Sequence, residues 1–187
     1  IENYLGDTDN IQMGFDLLYR FTAKQNFYVG FFMDELTPEW IFNSENHNWF
    51  AYQLGYRIDD LIFQNSSFMF EYNWTDQRIY KHKYKINDFY SHGEPLGFWA
   101  GPHSEELLAS YSFKVDYFEI SMDYSMVKRG LISDETTIKN YNDTYNSRYS
   151  DGYELKDYFS VRIQTASKVK GLNYIFGINQ IRFENNG

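Results

Sequence analysis

The sequence predicts an all-β fold, an antiparallel transmembrane β-barrel, and three observations carry that expectation. Apolar and polar residues alternate with a period of two in run after run, as in strands whose two faces meet different surroundings. Aromatics make up 21% of the 187 residues, yet mean hydropathy is −0.60. Large rings and polar groups must therefore be sorted to opposite faces. The connections between runs alternate short and long, the rhythm of outer-membrane barrels with short turns at one end and longer loops at the other.

The first strand is expected at 10–22, where Ile11, Met13, Phe15, Leu17, Tyr19 and Phe21 oppose Gln12, Gly14, Asp16, Leu18 and Arg20. The second, 26–36, is less clean, with Val29, Phe31 and Met33 against Gly30, Phe32 and Asp34. At 48–58 Phe50, Tyr52, Leu54 and Tyr56 alternate with Ala51, Gln53, Gly55 and Arg57, and at 66–76 Phe68, Phe70, Tyr72 and Trp74 alternate with Met69, Glu71, Asn73 and Thr75. The runs at 105–116 and 117–128 set Leu107, Ala109, Tyr111 and Phe113 and then Phe118, Ile120, Met122 and Tyr124 on one side. Two more follow at 156–167 and 171–183, led by Phe159, Val161 and Ile163 and by Tyr174, Phe176 and Ile178. No helix and no linker interrupts them, so the chain reads as one β-barrel segment over 1–187. Short connections fall near 24–25, 59–64, 115–116 and 167–171, and long ones at 37–47, 77–104 and 129–155.

Composition removes several function classes. A net charge of −9 disfavours nucleic acid, which is held by basic groups. Cysteine is absent, so there is no thiolate chemistry and no disulfide framework. No run of 18 apolar residues exists, which excludes a membrane helix but not strands of about 9–11 residues. The chain opens on Ile with no signal-peptide pattern, so it reads as processed or trimmed.

Alternation does not say which face is outside; size does. An eight-stranded barrel is just filled by side chains, and so many rings would not fit inside it. They would cover a lipid-facing belt. Phe70, Tyr72, Tyr111, Phe118 and Ile120 are therefore expected to meet lipid. Arg20, Asp34, Arg57 and Glu71 are expected to form a charged network on the lumen side, where opposite charges offset burial. If the short turns are periplasmic, both ends of the run lie outside, so the chain is expected to be an interior piece of a larger barrel. A soluble β-sandwich is the alternative.

The loop 77–104 concentrates groups suited to a sugar. Tyr80, Tyr90 and Trp99, with Trp40 from the loop 37–47, offer flat apolar faces; His92, Glu94 and His103 offer polar reach. Aromatic walls with a few placed polar groups are the general form of a ligand site. The other reading is a plug shaped by Gly93, Pro95, Gly97, Gly101 and Pro102, since such residues make turns. His82, His92 and His103 match no metal-ligand spacing, so neither metal nor cofactor is expected. Adjacent pairs such as Asp59–Asp60 and Glu105–Glu106 point to opposite sides of a strand, and no G-x-S-x-G motif supports a serine nucleophile. No catalytic residue is assigned. The Asn-rich stretch 134–154 lacks the spacing of a calcium loop and reads as a solvated loop.

Several segments resemble the Wzi-like capsule-assembly family of outer-membrane proteins. The opening GDTDNIQMGFDLLYRF is similar to its loop-then-strand entry, and FYVGFFMDEL to its strand with an acidic end. FEYNWTDQRIYKHKY, followed by YSHGEPLGFWAGPHSEELLASYSF, resembles its longest characteristic stretch. The likeness spans most of residues 6–115 and implies a large barrel of about eighteen strands. It also implies a noncatalytic role in assembling or retaining surface polysaccharide at the bacterial outer membrane. It transfers no binding residue. The competing expectations are a porin-like channel for small solutes and, less favoured, an envelope enzyme acting on lipid or glycan.

Overall fold

The computed structural model describes residues 12–34, 49–80, 90–131, 148–166 and 173–187. Among them the chain is all-β, with eight long strands in one antiparallel sheet and one short hairpin. The strands are β1 (Gln12–Thr22), β2 (Gln25–Asp34), β3 (Trp49–Asp59), β4 (Ser66–Thr75), β5 (Tyr90–Ser91), β6 (Glu94–Pro95), β7 (Ser104–Val115), β8 (Phe118–Gly130), β9 (Tyr153–Ala166) and β10 (Asn173–Asn185). The sheet order is β1-β2-β3-β4-β7-β8-β9-β10, each strand beside its predecessor, while β5 and β6 pair only with each other. The sheet is open: β1 and β10 do not pair, so the described residues do not close a barrel.

Directly opposed residues of an antiparallel pair share a face, and the register keeps the alternating sets together across every ladder. One row reads Tyr19, Phe27, Tyr56, Phe70, Ala109, Tyr124, Phe159. The neighbouring rows on that face read Leu17, Val29, Leu54, Tyr72, Leu107, Met126 and Phe68, Tyr111, Met122, Val161, Ile178. Phe118 and Ile120 lie on it too, opposite Val115 and Phe113. Much of this apolar face is bare. Phe15 is 60% exposed, Phe176 67% and Ile178 78%.

The opposite face carries Asp16, Gln53, Asn73 and Glu106 in one row, and Arg20, Asn26, Arg57, Ser110 and Asp123 in another. The buried apolar cluster sits at one end of this polar face. Trp49 and Ala51 of β3 meet Ile79 and Tyr80, with Phe32, Tyr90 and Phe98 packed around them. The segments 76–80 and 96–104 therefore fold back over the polar face instead of standing away from the sheet.

The turns explain themselves chemically. Asp60 and Asn65 hold left-handed φ angles of 58° and 60°, which Asp and Asn tolerate better than most residues. The Asp60 carboxylate accepts from the Asn65 N–H at 2.7 Å and pairs with Lys24 at 2.9 Å. The Lys24 contact, and then the Asn65 N–H, hold that carboxyl below its ordinary pKa. Asp116, at φ 52°, turns β7 into β8.

Candidate functional site

Tyr80 pins the inward loop. Its backbone N–H donates to Asp34 Oδ2 at 3.1 Å, and its hydroxyl accepts from the Phe98 N–H at 3.0 Å. Its ring packs against Phe32 with centroids 5.7 Å apart. Gly97 lies under that ring, and a β-carbon at 97 would fall inside it. Burial raises the phenol's pKa. Tyr80 is 3% exposed, so its ring is occupied by its own protein.

Beneath this roof lies an open cavity of about 360 Å³. Asp16, Gln53 and Asn73 line its polar side, and Phe32, Tyr80 and Phe98 its apolar side. Gly30 sits between Asp16 and Gln53 in the row. A β-carbon there would come within 3.2 Å of Gln53 Oε1 and 3.3 Å of Asp16 Oδ1; the glycine leaves room for both heads to lean over it. Beside the cavity Asn73 Nδ2 donates to Glu71 at 2.7 Å and to Glu106 at 3.2 Å. Glu106, 4% exposed, also accepts from Ser125 Oγ at 2.7 Å and Trp99 Nε1 at 3.2 Å. These neutral donors satisfy a buried carboxylate, as burial requires.

The residues expected to meet sugar divide into two groups. Trp99 is 58% exposed while anchored to Glu106, so its ring is presented in a fixed place. His92 and Glu94 are exposed on the β5–β6 hairpin. His92 (φ 52°) and Gly93 (φ 87°) form its turn, positive at both central positions as a tight hairpin demands. Tyr90 is half-buried against the apolar cluster. Trp40 lies outside the described residues.

His103 belongs to the second group, with Tyr80. It is 4% exposed, its ring stacks on Tyr149 at 4.8 Å, and its Nε2 accepts from the Tyr149 N–H at 3.2 Å. Burial, reinforced by the Arg148 charge, pushes its pKa down to about 4. Arg148, which the sequence did not single out, clamps this corner. It donates to the Thr75 carbonyl at 2.7 Å and the Ser104 carbonyl at 2.8 Å, with its guanidinium 4.6 Å above the Trp74 ring. Thr75 Oγ1 and Ser104 Oγ lie 3.0 Å apart, and both hydroxyls reach the Gly101 carbonyl. Nothing local to Arg148 in sequence announces this clamp, because its partners are 73 and 44 residues away.

No family model matches this chain, and no curated protein matches it significantly.

Arg20, Asp34, Arg57 and Glu71 share the polar face, as their register requires, but the sheet separates them. Asp34 opposes Gln12 at one end of β1, and Arg20 opposes Asn26 at the other; eight residues of strand span roughly 26 Å. Arg20 Nε donates to Asn26 at 3.2 Å. Arg57 pairs with Asp59 at 3.1 Å. Glu71 accepts from the Tyr28 hydroxyl and from Asn73. Asp34 accepts from Gln12 and the Tyr80 N–H. Among the described residues these contacts form local groups spread along the polar face. Among the described residues no group of three metal-ligating side chains comes together.

Proposed function

We propose that this chain forms part of the wall of a bacterial outer-membrane β-barrel that retains or helps assemble surface polysaccharide without catalysing a reaction. The observation that carries the membrane part is the bare apolar face, continuous across all eight strands, opposite a face rich in charges and covered at one end by its own loop. A soluble sheet buries its apolar face; this one buries apolar residues on its polar side. Two open edges suit a piece of a larger barrel, in which further strands complete the backbone pairing that lipid demands.

The polysaccharide part rests on the resemblance to the Wzi-like family and on Trp99, an exposed ring held by a buried carboxylate, with His92 and Glu94 on the neighbouring hairpin. Replacing Trp99 by Ala is expected to loosen cell-attached polysaccharide while the protein inserts normally. Unchanged retention at equal surface abundance would refute this reading. The inward loop also favours a second one, a porin-like channel narrowed by residues 96–99. Large, steady conductance in planar bilayers, with retention unaffected by Trp99→Ala, would select the channel.

A further inference from the structure

We propose that the cavity beneath residues 96–98 binds one uncharged pyranose unit and rejects acidic sugars. The inference deepens the polysaccharide reading and rests on it. It moves the decisive contact from the exposed loop to the polar face of β1–β4.

Three observations carry it. The first is unspent hydrogen-bonding capacity. Among the described residues the exposed Asp16 carboxylate and the half-buried Gln53 amide have no protein hydrogen-bond partner, and both line the cavity and lean over Gly30. The Asn73 amide donates to Glu71 and Glu106, which leaves its carbonyl oxygen able to accept. The second is the apolar wall. Phe32 and Phe98 give the cavity aromatic surface against the C–H face of a sugar ring, while the three polar heads address hydroxyls. At about 360 Å³ it lies at the small end of ligand sites. The third is the sign of the charge. Asp16 lines the cavity, Glu71 and Glu106 lie behind Asn73, and among the described residues that line it there is no Lys, Arg or His. Hydroxyl donors suit such a site. A phosphate or uronate would bring its anion up against these acceptors.

Two variants separate the cavity from the rest of the loop. A β-carbon at Gly14 would meet nothing nearer than 3.9 Å, so Gly14→Leu fills the cavity without displacing backbone. Asp16→Asn removes the repelling charge and keeps the shape. The full protein, folded in detergent, is titrated with methyl glucoside, galactoside and mannoside, with methyl glucuronide, and with tetramethylammonium, and binding is read by saturation-transfer NMR. At least one neutral pyranoside is expected to bind weakly, and the glucuronide roughly five- to tenfold more weakly, the effect of one like charge nearby. Asp16→Asn should narrow that gap, and Gly14→Leu should abolish binding with unfolding unchanged.

Glucuronide binding as tight as the best pyranoside, tighter binding of tetramethylammonium, or no saccharide binding at all would overturn the proposal. Retention on cells separates it from the reading it rests on. Loss of retention in Trp99→Ala without any sugar binding in the cavity sinks the cavity proposal alone. Sugar binding in the cavity with retention unchanged in both Trp99→Ala and Gly14→Leu sinks the retention role alone.

Discussion

Gly55→Ala should be among the most damaging single-methyl changes in this sheet. The Tyr28 ring lies flat on Gly55, its neighbour across the β2–β3 ladder, and a β-carbon at 55 would fall inside that ring. Tyr28 must leave, and its hydroxyl must leave Glu71. Losing a hydrogen bond to a charged group costs about 1.5–3 kcal/mol, and overpacking costs about 1–3 kcal/mol more. Alanine returns roughly 0.5–1 kcal/mol through its lower chain entropy. Glu71 keeps the Asn73 amide, so the carboxylate is not stranded. The net expectation is a loss of about 2–5 kcal/mol. The assay is reversible urea unfolding of protein inserted in lipid vesicles, followed by tryptophan fluorescence. A double-mutant cycle supplies the control. In a Tyr28→Ala background the same Gly55→Ala should be neutral or slightly stabilising, a coupling of about 2 kcal/mol or more. A single-mutant loss under about 0.5 kcal/mol, or additive losses in the cycle, would refute the packing argument.

Three further outcomes follow from the same geometry. His103 titrates at about 4 in the folded protein against 6.5 unfolded; as pH falls the unfolded chain takes up the proton first, so stability should decline from about 6.5 down to about 4 and level off below. His103→Asn, which suits the left-handed φ of 55°, should flatten urea midpoints across that window, and an unchanged slope would count against the assignment. Arg148→Lys cannot hold the Thr75 and Ser104 carbonyls together and should lower stability by about 2 kcal/mol; equal urea midpoints would show that the clamp contributes little. Phe70→Arg should cost about 2–4 kcal/mol in vesicles if the face meets lipid near the midplane, whereas Met69→Arg, on the polar face, should be far milder. Equal penalties would argue that neither face is in hydrocarbon.

The strands were legible because a period of two needs no tertiary knowledge. Each expected run falls within about three residues of an observed strand, and β9 departs most, starting at Tyr153 rather than 156. The long loop was read less well. Its richness in rings and glycines was compatible with both sugar contact and packing, and Tyr80 and Trp99 look alike in sequence. One is 3% exposed and the other 58%. The usable hint was Ile79–Tyr80, an apolar pair within a polar stretch, with Asp34 at the end of β2 to receive its backbone. The β5–β6 hairpin was missed because its turn uses His-Gly where Asn-Gly is the stronger signal. Alternation fixes a face but not a height along it, and Arg20 and Asp34 share the first only.

Height also carries information of its own, through the apolar rows. On β1–β3 the uppermost apolar row is Met13, Met33 and Phe50. At β4 it is the row of Trp74, one step lower. At β7 and β8 it is Leu107 with Met126, with Glu105 and Lys128 taking over above; on β9 the same face carries Leu155 above Asp157, so the descent stops at β8. The lower margin descends too, from Phe21 through Phe68 to Val115 and Phe118. From β1 to β8 the upper margin drops two rows over five strand spacings, roughly 13 Å down for 24 Å across. Set level with a bilayer, such a slanted band would make the strands lean by roughly 30°, somewhat below the inclination that closed membrane cylinders adopt. A stagger of the kind a rolled sheet needs is thus visible in where the strands from β1 to β8 stop being greasy.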